Sequence, residues 1–177
     1  LISNHGLLHI IDGIWYEWYT GTKEADAAGV KTLDAPLTHV NVHIKGGITL
    51  PAQEPAKTTY ATSRNPYSLI VALDKEGQST GSLYVDDESL KPKYTRLTFK
   101  AKKNSISIKV AQNGYLVTPM LEKISIMGYQ RTKVPTTLLV NGRRIQGANI
   151  TMDHSTELLS LSGFKVGLNQ NAEIEWL

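Results

Sequence analysis

The sequence predicts an all-β protein made of two consecutive antiparallel β-sandwich domains. Three observations carry that prediction. Short apolar runs recur about every ten residues, with Gly, Pro and Asn between them, which is the rhythm of a sandwich. No stretch of about 12 residues places apolar side chains at i, i+3 and i+4, so helices are scarce. Pro51 to Pro66 holds three prolines and many Thr and Ser residues, a connector composition that divides the chain near Arg64, into residues 1–64 and 65–177.

In chain order, Leu7–Ile11 and Ile14–Thr20 read as two strands joined at Asp12-Gly13, a dipeptide suited to a hairpin turn. In the second strand Ile14, Tyr16 and Trp18 point one way, and Trp15 and Tyr19 the other. Large aromatics on both faces predict burial on both faces. Trp15, Tyr16, Trp18 and Tyr19 are therefore the expected packing residues, one face turned inward and the other toward a partner; stacking on sugar rings is the alternative role. Thr22 to Lys31, polar, Ala-rich and Gly-containing, reads as a loop or short turn. Strands are expected near Val30–Leu33, Thr38–Ile44, where His39-Val40-Asn41-Val42-His43 alternates at period two, and Ile48–Leu50. Gly46-Gly47 marks a corner between the last two, and Pro51 ends the run.

The second half repeats the pattern. Leu69–Asp74 is a continuous apolar run, expected at the centre of a sheet, and Gly81–Asp86 follows. Tyr94–Lys102 and Ser105–Val110 predict a hairpin about Lys103-Asn104, with Leu97, Phe99 and Ala101 facing Ile106, Ile108 and Val110. Asn113-Gly114 is a turn, and Leu121–Met127 a strand. Thr137–Val140 and Arg143–Gln146 flank Asn141-Gly142, the strongest hairpin signal in the chain. Asn149–Met152, Glu157–Leu161 and Ala172–Trp176 complete the set.

Composition excludes several function classes. Nineteen basic residues against sixteen acidic ones leave a net charge of +3, too small to argue for nucleic acid. No apolar run reaches the roughly 20 residues of a membrane helix. Cys is absent, which excludes disulfides and thiolate metal sites. The chain opens Leu1-Ile2-Ser3, without an initiator Met or a basic leader, and is expected to be cut from something longer.

No residues assemble an obvious catalytic motif. Asp12, Asp34, Asp74, Asp86, Asp87 and Glu88 are carboxylates, but most sit at turns, where Asp accepts backbone N–H bonds. His39 and His43, four apart on a strand, are separated by roughly 13 Å and cannot share a metal ion. Asp86-Asp87-Glu88 has oxygen ligands of the kind calcium takes, yet reads as a solvated turn. Arg96, Thr98, Lys100 and Lys102 alternate with apolar residues and form the polar stripe of one strand, where lysines discourage edge pairing. Asn149-Ile150-Thr151 is the one N-glycosylation sequon. No cofactor, metal or catalytic residue is expected in this chain.

The stretch Leu33 to Pro55 resembles a segment of glycoside hydrolase family 31, the α-glucosidase and maltase group, that follows the catalytic barrel. Its features are Pro36-Leu37, the strand with His39 and His43, the Lys45-Gly46-Gly47 corner, where the family usually has Arg, and the Leu50-Pro51 exit. Ile14 to Gly21 is similar to the family's Trp-Tyr-Asp-Tyr-Tyr-Thr-Gly strand. Ser63-Arg64-Asn65-Pro66 with Leu69–Asp74 resembles the junction into the last domain. Gly81 to Asp87 resembles a later turn, in which the family has Gly where Glu88 stands. The resemblance implies the proximal and distal C-terminal sandwiches of an α-glucosidase. Such an enzyme hydrolyses terminal non-reducing α-glucosidic bonds of maltose-like substrates with retention, using two carboxyl groups of a (β/α)8 barrel. The family's nucleophile motif is absent here, so this chain would brace a barrel lying elsewhere, in the same or a separate chain. The resemblance also implies a secreted, lysosomal or vacuolar location. The alternative reading is a free-standing carbohydrate-binding β-sandwich.

Overall fold

The computed structural model describes residues 5–25, 28–131 and 133–177. Among the described residues the chain is all-β apart from one four-residue helix. Five strands come before the Gly46-Gly47 corner: β1 (His5–Ile10), β2 (Trp15–Glu17), β3 (Lys23–Ala25), β4 (Gly29–Asp34) and β5 (His43–Lys45). They form a β1–β4 ribbon and a three-stranded sheet in the order β3-β2-β5. The reading of Leu1-Ile2-Ser3 lies outside the described residues.

Three local expectations are corrected here. Asp12-Gly13 does not close a hairpin: β1 pairs with β4 along its whole length, and β2 pairs with β3 and β5. A three-residue strand has little pairing energy of its own, and β2 goes where Tyr16 can be buried. Thr22–Lys31 is not all loop, because β3 supplies the third strand of that sheet and β4 begins at Gly29. The alternating residues 39–42 are not a strand. His39 N–H closes a turn onto the Pro36 carbonyl, the Asn41 amide caps the Asp34 carbonyl, and Val40 is 70% exposed, so no buried face holds the segment extended.

The corner itself is present. Gly46 N–H donates to the Ile14 carbonyl at 2.7 Å, and Gly47 N–H to the Ala72 carbonyl at 2.8 Å. A Cβ on Gly46 would lie 2.7 Å from the Leu73 carbonyl oxygen, and Gly47 has φ +92°. A side chain at Gly46 would push the small sheet off the large one, and one at Gly47 would be strained in the left-handed region.

After the corner come β6 (Ile48–Gln53), α1 (Thr59–Thr62), β7 (Tyr67–Ala72), β8 (Ser79–Asp86), β9 (Tyr94–Lys102), β10 (Ser105–Asn113), β11 (Leu121–Met127), β12 (Leu138–Val140), β13 (Arg143–Arg144), β14 (Asn149–Asp153), β15 (Leu158–Val166) and β16 (Ala172–Trp176). All the strands among them join one curled sheet, ordered β13-β12-β16-β10-β9-β8-β6-β7-β11-β15-β14. The pairings are antiparallel except β6–β8 and β7–β11, which are parallel. The connector expected to divide the chain near Arg64 contains the end of β6 and α1, and β6 pairs along its length with β7 beyond it.

The sheet folds on itself where β8 meets β6. That junction is a single bridge, Ile48 to Thr80. Gly81 lets the two strands touch: a Cβ there would fall 2.0 Å from the Thr49 carbonyl oxygen. Thr49 and Ser79 share a buried 2.6 Å hydrogen bond at the same point. Past it, β6 pairs with no strand on the β8 side among the described residues, which is why the strand runs on through Pro51 instead of ending there.

The two halves enclose the core. Leu97, Phe99, Ile106, Ile108, Ile174 and Trp176 from one half meet Leu69, Val71, Ile124, Ile126, Leu159 and Leu161 from the other, all essentially inaccessible to solvent. The register of the β9–β10 hairpin is the expected one, with Ile106 opposite Ala101, Ile108 opposite Phe99 and Val110 opposite Leu97. Arg96, Lys100 and Lys102 are exposed on its other face, but β9 lies inside the sheet between β8 and β10, so they protect no edge. Asn141 and Gly142 have φ +50° and +74°, as a type I′ hairpin turn requires.

Candidate functional site

Two surfaces stand out from the scaffold. The first is built on β2. Tyr16 leaves the small sheet and plants its ring against the large one. It is 1% exposed, and its hydroxyl donates to the Leu73 carbonyl at 2.7 Å. Gly128, at φ +75°, makes room for it, since a Cβ there would sit 2.1 Å from the hydroxyl oxygen. Ile44, Ala72 and Met127 complete this small second core. Burial pushes the Tyr16 phenol well above its usual range, and the nearby Glu157 and Asp74 charges add to the shift. The hydroxyl is therefore a fixed donor at any ordinary pH. It borders a cavity of about 240 Å³ that Asp74, Lys75, Lys103 and Arg131 also line.

The other aromatics of this segment are not so covered. Trp15 and Trp18 are half-buried, the Trp15 indole donating to the Ile11 carbonyl at 3.0 Å. Tyr19 is 59% exposed and packs at 5.4 Å, centroid to centroid, against the exposed ring of His39. Leu37 and Val40 lie open in the same His39 loop. The turn beneath is held by Glu17, whose Oε2 accepts from Thr20 N–H at 2.7 Å and from the Thr20 hydroxyl at 2.8 Å. Burial alone would raise the Glu17 carboxyl. The bonds from Tyr19, Thr20 and its hydroxyl, with the nearby His43, outweigh that and hold it below the usual carboxylate range. His39 thus meets a tyrosine and His43 a carboxylate. Among the described residues, no cluster of His, Asp and Glu is arranged to hold a metal ion.

The second surface lies where β8 has parted from β6. A cleft of about 480 Å³ opens between the end of β8, α1 and residues 115–119. Tyr60 and Tyr84 line it, 66% and 53% exposed, and Tyr94 stacks on Tyr84 at 5.1 Å with 26° between the rings. The Arg64 guanidinium lies 4.1 Å over the Tyr60 ring centroid and hydrogen-bonds its hydroxyl. The acidic run closes the rim. Asp87 accepts from Ser89 and Lys93 N–H groups, and Asp86 from Glu88 N–H, each at 3.2 Å. Glu88 has φ +56°, the left-handed conformation that glycine adopts without strain. The run is a turn, as its composition indicates, and sequence reading overlooked the tyrosines beside it. The available signal was Tyr84 on the polar face of β8, in step with Thr80 and Ser82.

Other carboxylates do turn work: Asp74 accepts from Glu76 and Gln78 N–H groups. Asn149 is exposed at the start of β14, the outermost strand of the large sheet, with Thr151 exposed two residues on.

A curled β-sandwich with an aromatic-rich small sheet docked on one end is also found within solved glycoside hydrolases. The α subunit of glucosidase II, bound to Glc1Man2, matches 99% of this chain with a TM-score of 0.81 at 20% identity, over 22% of its own length. A Flavobacterium johnsoniae dextranase of family 31 matches 98% with a TM-score of 0.74 at 17% identity. These likenesses show the fold. No family model matches the chain. A family 31 glucosidase of Schizosaccharomyces pombe is 34% identical over 93% of the chain. α-Glucosidases of Schizosaccharomyces pombe and Aspergillus niger are 35% and 33% identical, each over 86%. The chain belongs to glycoside hydrolase family 31. It spans only 15–17% of the length of these three relatives.

Proposed function

We propose that this chain is the non-catalytic C-terminal portion of an α-glucosidase and braces its catalytic barrel. The whole enzyme hydrolyses terminal non-reducing α-glucosidic bonds of maltose-like substrates with retention, through two carboxyl groups of a (β/α)8 barrel outside these 177 residues. The division is proximal, residues 1–64, and distal, residues 65–177, with β6 shared between them.

The observation that supports this reading is the open apolar patch on the loops beside the small sheet. Tyr19, Leu37 and Val40 are 59%, 95% and 70% exposed on two adjacent loops, while Tyr16 on the neighbouring strand β2 is covered by the large sheet. Tyr16 is thus satisfied within the chain, while the loops beside β2 present these apolar side chains to solvent. A flank of the barrel is the cover we assign. Trp15, Trp18 and Tyr19 are the aromatics of this segment that we assign to packing, and burying two or three such side chains contributes several kcal/mol at roughly 25 cal/mol per Å². The exposed Asn149 sequon on an edge strand fits an N-glycan, and with it a secreted, lysosomal or vacuolar enzyme.

The test compares the full-length enzyme with its Leu37→Asp, Val40→Asp double variant. The expected result is a lower melting temperature and faster loss of maltose hydrolysis on warming, with the 177-residue chain alone inactive on maltose. Unchanged melting of the full-length variant, or maltose hydrolysis by the chain alone, would overturn the reading.

A further inference from the structure

We propose that the tyrosine cleft at the end of β8 binds glucosyl units of an α-glucan chain, with the Tyr84 ring as the stacking face. The proposal rests on the reading that the chain belongs to an enzyme acting on glucosidic substrates.

The fold makes the cleft. β6 and β8 pair at a single bridge, Ile48 to Thr80, and then diverge, so the Tyr84–Asp86 end of β8 stands apart from the start of β7. At about 480 Å³ the space suits a ligand of one or two sugar rings. Single exposed aromatics are ordinary on a protein surface. Here two of them border one cavity, and a third, Tyr94, backs Tyr84 and fixes its plane. A ring held in place offers contact area at little cost in entropy, which is how tyrosine serves binding surfaces.

Charge narrows the ligand. Asp86, Asp87 and Glu88 on the rim repel anions. The Arg64 guanidinium already covers the Tyr60 ring, the position a ligand cation would take. A neutral ligand with an apolar face and many hydroxyls remains. A glucosyl ring has both: axial C–H groups for the Tyr84 face, and hydroxyls that donate to the rim carboxylates and accept from Arg64.

The experiment is calorimetric titration of the 177-residue chain with maltoheptaose, alongside Tyr84→Ala and Tyr84→Trp. Tyr84 is more than half exposed, so neither change opens the core, and matching thermal melts confirm it. The expected result is saturable binding by the wild type, weakening at least about tenfold in Tyr84→Ala, the loss of one stacking contact, and retained in Tyr84→Trp. No binding by the wild type, equal binding by Tyr84→Ala, or loss in both variants would overturn the proposal. Maltose hydrolysis by the wild-type full-length enzyme is measured in parallel. Its absence would remove the glucosidase reading itself, whereas hydrolysis without maltoheptaose binding by the chain removes only the cleft.

Discussion

Replacing Tyr16 by Phe isolates the contact that fixes the small sheet on the large one. The ring stays, and only the hydroxyl is lost. That hydroxyl is buried and donates at 2.7 Å to the Leu73 carbonyl, so the carbonyl is left without its side-chain donor. The expected loss is about 1–3 kcal/mol of unfolding free energy. Gly128→Ala attacks the same contact from the other side. Its Cβ would lie 2.1 Å from the Tyr16 hydroxyl oxygen, at a φ of +75°. Overpacking of about 1–3 kcal/mol adds to a left-handed penalty of about 1–2 kcal/mol. In the Tyr16→Phe background the nearest atom becomes a ring carbon at 2.9 Å, so Gly128→Ala costs less there than in the wild type. The assay is denaturant unfolding of the four proteins followed by tryptophan fluorescence. Trp15 and Trp18 report on the small sheet and Trp176 on the sandwich core. Tyr16→Phe within about 0.5 kcal/mol of wild type, the range of an inconsequential surface change, would refute the reasoning. So would strictly additive effects of the two substitutions.

Gly81→Ala drives a Cβ into the Thr49 carbonyl and should break the β6–β8 bridge; loss of amide-exchange protection at Thr80, whose N–H donates to Gly47, reads it directly. Asn141→Ala removes a side chain that accepts from Glu173 N–H at 2.8 Å and a residue suited to φ +50°, so denaturation should show a loss of about 1–2 kcal/mol. Glu17 is held below the usual carboxylate range, so its stabilising contribution is complete at neutral pH and lost as pH falls through that lowered value. Glu17→Gln should therefore be less stable than wild type at pH 7, with the gap closing in acid unfolding curves below about pH 4.

What the sequence revealed depended on how local the cause was. The β9–β10 hairpin was legible because Leu97, Phe99 and Ala101 alternate with polar residues and two turn residues follow. Asn141-Gly142 was legible because few pairs tolerate two positive φ values in a row. The failures have non-local causes. Residues 39–42 alternate well, but Val40 finds nothing to be buried against, and alternation without a buried face does not make a strand. β2 reads as half of a hairpin, yet its position is decided by Leu73 and Gly128, more than fifty residues away. Pro51 looks like a strand end until β8 is seen to diverge from β6. The basic stripe of β9 looks like edge protection, but β9 is internal. Of the surfaces, the aromatic run at Trp15–Tyr19 was visible because it is contiguous. The tyrosine cleft was not, because Tyr60, Tyr84 and Tyr94 come from three elements that only the fold brings together.

Hydroxyl-radical footprinting of Tyr19, Leu37 and Val40, in the 177-residue chain and in the full-length enzyme, tests the bracing role most directly. Oxidation of all three in the chain alone and strong protection in the full-length enzyme is the predicted result, with Leu90, fully exposed in the loop after β8, labelled in both as the internal reference. Equal labelling of Tyr19, Leu37 and Val40 in the two proteins would mean that nothing covers this face, and would contradict the account.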